Sequence, residues 1–157
     1  MHVLRSAELR AIDARGFDAL LERRDFVLAI GGGDLHGFAA AAFLFADYAA
    51  LQRGGAVHLD SPQAWAGAVW RAGRRAWLQE ELADEIIDGE EWFDGWMRHR
   101  SASALDSAAM LIRSRGGDAL ERAEFARLFA TGEPAEGLGA FLGKRKPSFI
   151  VPNGRTS

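Results

Sequence analysis

The 157-residue sequence contains no cysteine. Disulfides, thiolate metal sites and cysteine nucleophiles are therefore excluded. Long apolar runs are absent too. The longest, residues 38–46, covers nine positions and stops at Asp47, whereas a membrane span needs ~20. The N-terminal stretch Met1-His-Val-Leu-Arg-Ser-Ala-Glu mixes charge from its start and has no apolar signal core, so a cytoplasmic chain without membrane attachment is expected. Positive charge is not in excess: 19 Lys and Arg face 22 Asp and Glu, leaving a net −3. That balance argues against a protein built to hold nucleic acid. Histidine is scarce, and His2, His36, His58 and His99 show no metal-ligand spacing along the chain, so no metal is expected.

What remains is ordinary for a globular protein: 48% apolar and 26% charged residues. A chain of this size buries roughly 70% of its unfolded surface, enough for a core without staples. Residues 6–24 predict a helix, with Ser6 as cap and Leu9, Ile12, Leu20 and Leu21 at helical spacing. Residues 26–30 form a continuous apolar run halted by Gly31-Gly-Gly33, the pattern of a strand covered on both faces. Residues 37–46 are apolar all round and predict a buried helix. Residues 56–59 suit a second short strand, and from Pro62 to about residue 130 the pattern reads as helical. Strand, glycine turn, helix, strand and helices are an α/β order.

The glycine run invites a phosphate-loop reading, because amides at a helix N-terminus bind anions. The spacing fails: no Gly-Lys-Ser/Thr follows, and Gly31-Gly-Gly-Asp-Leu-His-Gly37 does not fit Gly-x-Gly-x-x-Gly. Trp65, Trp70, Trp77, Trp92 and Trp96 could stack sugars or bases, but Trp70–Trp77 and Trp92–Trp96 have the spacing of helix packing faces. Eight carboxylates between Glu80 and Asp94 read as a solvated helix surface.

A set of colinear landmarks remains. Ala29-Ile-Gly-Gly-Gly-Asp-Leu-His-Gly37 is followed ten residues after Gly37 by Asp47, then by Ala56-Val-His-Leu-Asp60. Gly73-Arg-Arg-Ala76, Ile87-Asp-Gly-Glu-Glu91 and Gly95-Trp-Met97 come next, then Phe129-Ala-Thr131 and the segment from Glu136-Gly-Leu-Gly-Ala-Phe141 to Lys144-Arg-Lys-Pro-Ser-Phe149. Together they resemble the crotonase superfamily of enoyl-CoA hydratases and isomerases over about residues 17–149. The resemblance implies a reduced crotonase-like α/β fold, a short sheet remnant with C-terminal trimerisation-type helices. Residues 1–150 would be one shortened domain and 151–157 a mobile tail.

The departures from the family are equally informative. Only about 25 residues precede the first strand, where the family has a long portion that supplies one oxyanion amide and much of the CoA pocket. The resemblance puts the second oxyanion amide at Phe38, in a turn that side chains would crowd. Both hydratase glutamates are replaced, by Ala41 and Ser61. His58 and Asp60, at i and i+2 of the short strand, could form a substitute acid–base pair, or could simply be polar residues at a strand end. His36 fits a capping or interface role. Phe141 and Lys144 match positions that reach a neighbouring subunit's CoA, and otherwise belong to an amphipathic terminal helix. The resemblance thus implies an acyl-CoA or acyl-carrier thioester as ligand or substrate, with no tightly bound cofactor. It also implies assembly as a homo-oligomer or with a longer crotonase-like partner chain. The apolar strand, with few segments able to pair with it, argues likewise against a lone monomer. A non-catalytic structural or regulatory subunit is the alternative.

Overall fold

The computed structural model describes residues 1–74, 83–114 and 117–149, with the backbone alone at 72–74. The chain forms two compact units: His2–Glu90, and the segment from Glu91 onward together with Met1.

In the first unit, β1 (His2–Leu4) leads into α1 (Ser6–Ala11), α2 (Ala14–Leu21) and β2 (Val27–Gly31). Next come β3 (Asp34–Leu35), α3 (Gly37–Phe45), β4 (Tyr48–Gln52) and β5 (Ala56–Val57). The unit ends with α4 (Pro62–Arg74) and β6 (Glu85–Ile87). A parallel four-stranded sheet has the order β1-β2-β4-β6, and β3 and β5 make a separate parallel pair.

The apolar run after Asp25 is β2, buried along its whole length. It is flanked on both sides, with Val3 opposite Leu28 and Ala29 opposite Ala49. The expectation of a strand short of partners is therefore corrected. Its neighbours β1 and β4 escaped notice because three residues after Met1, and an Ala-rich stretch after Asp47, carry little strand signal. Asp47 ties the two central strands together: its carboxylate accepts from the Val27 amide at 2.8 Å, and its own amide donates to the Val27 carbonyl.

Gly31, the last residue of β2, has no room for a side chain. A Cβ on it would lie 2.7 Å from the Leu35 side chain and 3.0 Å from Phe43. Beyond the turn, Gly37 opens α3 at φ +52°, a left-handed conformation costly for other residues. Ala39 to Leu44 are buried as their composition requires.

The single helix expected over residues 6–24 is two, broken at Ile12 and Asp13, with the Asp13 carboxylate capping α2 through the Gly16 amide. Ser6 does not cap α1. It is buried and donates to Glu90 at 2.6 Å, where Arg5 also donates at 3.4 Å. The acidic stretch is corrected as well. Among its described residues, Glu85 begins the edge strand β6, Glu90 binds Ser6, and Asp84 is in a buried pair with Arg71. Arg71 also donates to the carbonyls of Leu44 and Ala46, which end α3, placing a cation where the helix dipole favours one.

The second unit is helical: α5 (Trp92–Met97), α6 (Ala102–Ser114), α7 (Asp118–Phe129) and α8 (Glu133–Leu142). The Trp92 and Trp96 rings meet at 5.6 Å, as their spacing predicts. Trp70 meets Phe45 at 6.1 Å yet is half exposed, Trp65 is exposed, and Trp77 lies outside the described residues. The tail beyond residue 149 is likewise outside them.

Candidate functional site

Two short strands position the site. In the β3–β5 pair, Asp34 lies opposite Ala56 and Leu35 opposite Val57. The His58 amide extends the ladder by donating to the Leu35 carbonyl at 2.9 Å. Continued by one residue, this register sets His36 against His58, and the imidazoles stack with centroids 4.1 Å apart and planes 8° from parallel. Alternation puts Asp34 on the same face as His36. His58 and Asp60 thus lie just past β5 rather than within a strand.

Asp60 closes this arrangement. Its Oδ2 is 2.6 Å from His36 Nδ1, and its Oδ1 accepts from the Gly37 amide at 2.9 Å. The Gly37 N–H foremost, and the His36 ring next, hold its carboxyl below the ordinary aspartate range. The imidazole paired with Asp60 is therefore His36, not His58. His36 sits at the N-cap of α3 but makes no side-chain cap bond, so its contact is with Asp60 rather than the helix. His58 Nε2 is shielded from solvent, has no hydrogen-bond partner among the described residues, and lies 3.9 Å from Asp34 Oδ2.

Beside this cluster, α3 presents its first turn. The Ala39 and Ala40 amides donate to the His36 carbonyl and that of Gly37 to Asp60. Phe38, second in the helix, has an amide with no intrahelical acceptor, as first-turn amides do. Its ring lies 5.7 Å from Phe17, so the side chain standing where glycine was expected packs between α2 and α3 instead of crowding the turn. Ala41 is fully buried in α3. Ser61 caps α4: its Oγ accepts from the Ala64 amide at 3.1 Å, its carbonyl accepts from Trp65, and Pro62 follows as the first helical residue.

Phe141 and Lys144 belong to the second unit. Phe141, next to last in α8, is 79% exposed rather than packed. Lys144 is exposed in the turn beyond, at φ +49°. Glu136 stabilises that turn by accepting from Arg145 at 2.7 and 2.8 Å and from the Ser148 amide at 2.6 Å. The Arg145 guanidinium, then the Ser148 amide, lower its carboxyl from 4.5 to about 2.

Reading spacing along the chain missed the His36–His58 contact, since the two lie 22 positions apart. The signal was present in a different form. Asp34-Leu-His36 and His58-Leu-Asp60 are two alternating polar triplets, one at each short strand, and pairing those strands brings the triplets together.

No family model matches the chain, and no curated protein matches it in sequence. Solved structures do match. An enoyl-CoA hydratase from Polaromonas sp. JS666 aligns with 92% of this chain and 68% of its own, at 19% identity and a TM-score of 0.56. An enoyl-CoA hydratase/isomerase from Marinobacter aquaeolei aligns with 90% of this chain and 66% of its own, at 20% identity and a TM-score of 0.52. An enoyl-CoA hydratase/carnithine racemase from Magnetospirillum magneticum aligns with 96% and 79%, at 17% identity and a TM-score of 0.53. The chain spans about two thirds of the length of the first two. These likenesses establish a reduced crotonase fold, as the landmark residues predict.

Proposed function

We propose that the chain is a crotonase-like subunit that binds or processes an acyl-CoA or acyl-carrier thioester within a larger cytoplasmic assembly. The observation that carries this reading is the first turn of α3, where the Gly37 amide is held by Asp60 of the Asp60–His36 pair and the Phe38 amide is the next in the chain. An amide aimed at a thioester oxygen stabilises the charge that grows there as an enolate forms. An imidazole whose other nitrogen is held by a carboxylate is arranged to take a proton from carbon or water. In that step His36 gains the proton, the electron pair moves toward the oxygen facing Phe38, and Asp60 balances the imidazolium. A partner chain would supply the first oxyanion donor, and Phe141 and Lys144 would reach a neighbour's CoA.

The two glutamate positions carry no carboxylate: Ala41 is sealed in the core and Ser61 is engaged in capping. Each missing acid–base group costs about 10²–10⁴-fold in rate. Hydration of a short enoyl-CoA by the pure protein is therefore expected to be far slower than by an ordinary hydratase. Residual turnover should disappear in Asp60→Asn while the melting curve is retained. Ordinary hydratase turnover, or residual turnover unchanged in that variant, contradicts the reading.

The same two positions favour a second reading, a structural or regulatory subunit of a full-length crotonase-like enzyme. It is distinguished by binding the longer chain while ignoring CoA thioesters.

A further inference from the structure

We propose that Asp34, His36 and His58 form a binding site for a divalent transition cation of the zinc type, with Asp60 as the residue that orients His36 from behind. The inference is independent of the thioester reading and rests on four features of the cluster.

The first is the donor set. One donor atom from each of the three residues lies within 4.8 Å of the other two. Two imidazoles and a carboxylate suit zinc and its neighbours, whereas magnesium and calcium prefer oxygen alone. Three protein ligands also leave a coordination position for water.

The second is the backing of His36. Asp60 engages Nδ1 at 2.6 Å and is itself anchored by the Gly37 amide at 2.9 Å. That leaves Nε2 as the ring nitrogen available to a cation. A carboxylate behind a ligating histidine fixes its tautomer and raises its basicity, a recurrent outer-shell arrangement at metal sites. Two histidines meeting by accident on a surface need no such support.

The third feature is His58. Its Nε2 is withdrawn from solvent without a hydrogen-bond partner among the described residues, and the carboxylate nearest it, at 3.9 Å, is that of Asp34. A cation between them satisfies both.

The fourth is that the backbone fixes the arrangement. The β3–β5 register and the His58–Leu35 bond place the three Cα positions before any ligand arrives. Zinc–nitrogen bonds of ~2.0–2.1 Å bring donors to ~3.3 Å from one another. Ligation therefore closes the observed spacings by at most about 1.5 Å and turns the rings out of their parallel stack. Exposed side chains, as all three ligands are in part, allow such rotations.

Occupancy takes the His36 ring nitrogen away from acid–base work. Thioester experiments therefore belong in chelator and cation experiments in thioester-free protein, and either reading can fail alone.

The test is titration of chelator-stripped, desalted full-length protein with Zn²⁺ by calorimetry and with Co²⁺ by visible absorption. One saturable site per chain is expected, with Mg²⁺ unable to compete. His58→Ala and Asp34→Asn should weaken binding at least tenfold. Asp60→Ala, which removes no ligand, should weaken it about 10–100-fold. Asp88→Asn, a change to an exposed acid outside the cluster, should leave it unaltered. Melting curves in chelator establish that the variants fold. Should they not, ring NMR of the wild type decides, with His36 and His58 expected to shift on Zn²⁺ addition while His2 and His99 stay in place. Absence of stoichiometric binding, binding indifferent to both His58→Ala and Asp60→Ala, or shifts confined to other histidines overturns the proposal.

Discussion

At the scale of single residues, the informative side chains are those whose polar atoms are committed to the backbone. Asp47 was legible as a landmark, but its work, bridging Val27 of β2 to the start of β4, needed the sheet register to become visible. Arg71 gave no signal at all in the sequence. It lies 4% exposed with its guanidinium 2.8 Å from Asp84 and against the carbonyls that end α3. Asp84 also accepts from the Ala49 amide at 2.6 Å, so the pair ties α4, α3 and β4 together. Arg71→Ala should lower unfolding free energy by about 3–5 kcal/mol, because it removes a charged partner from a largely buried ion pair. Chemical denaturation checks this, and a loss below about 1 kcal/mol would mean that water reaches Asp84 in the variant.

Among elements, the apolar ones were read correctly and the polar or short ones were not. Burial all round made β2 and α3 plain in composition, and both are where the core sits. β1, β4 and β6 are three to five residues each, too short for periodicity to declare itself against charged neighbours. The pairing within the candidate site was hidden for a related reason. Asp60 was identified, but its partner was sought at His58, two residues away, when strand pairing delivers His36. In the helical unit, the turn after α8 depends on Glu136. A carboxyl lowered in the folded state stabilises above its ordinary pKa and ceases to do so as pH falls through the folded value. Protection of the Ser148 amide should therefore hold above 4.5 and fade as pH falls toward about 2. Glu136→Gln should show that loss at neutral pH. Hydrogen exchange of the Ser148 amide checks both, and protection independent of residue 136 would assign the turn's order to the backbone.

For the whole molecule, assembly is a prediction that rests on different grounds from those the sequence suggested. β2 lies between β1 and β4, so no central strand without neighbours calls for another chain. Instead, each unit exposes large apolar side chains: Trp65 and Val69 on α4, and Phe129, Leu138, Phe141 and Leu142 among the later helices. Large contiguous apolar patches mark interaction sites, which makes assembly the prediction to test. The wild-type protein should sediment as an oligomer, or as a complex with a longer chain when taken from its own cell. Phe141→Asp should shift the boundary toward monomer. A single monomeric boundary at micromolar concentration, with cooperative melting, contradicts assembly. The fold was legible because the landmark residues extend along most of the chain. The site was only half legible, because its members meet through a ladder of two-residue strands. The measurement that tests the central claim most directly is an amide NMR titration of the ¹⁵N-labelled protein, in the assembly it forms, with a short-chain acyl-CoA in chelator. The account predicts saturable displacement of the Phe38 and Gly37 amide resonances at the start of α3. Resonances that stay in place at millimolar ligand, or that move only elsewhere, contradict it.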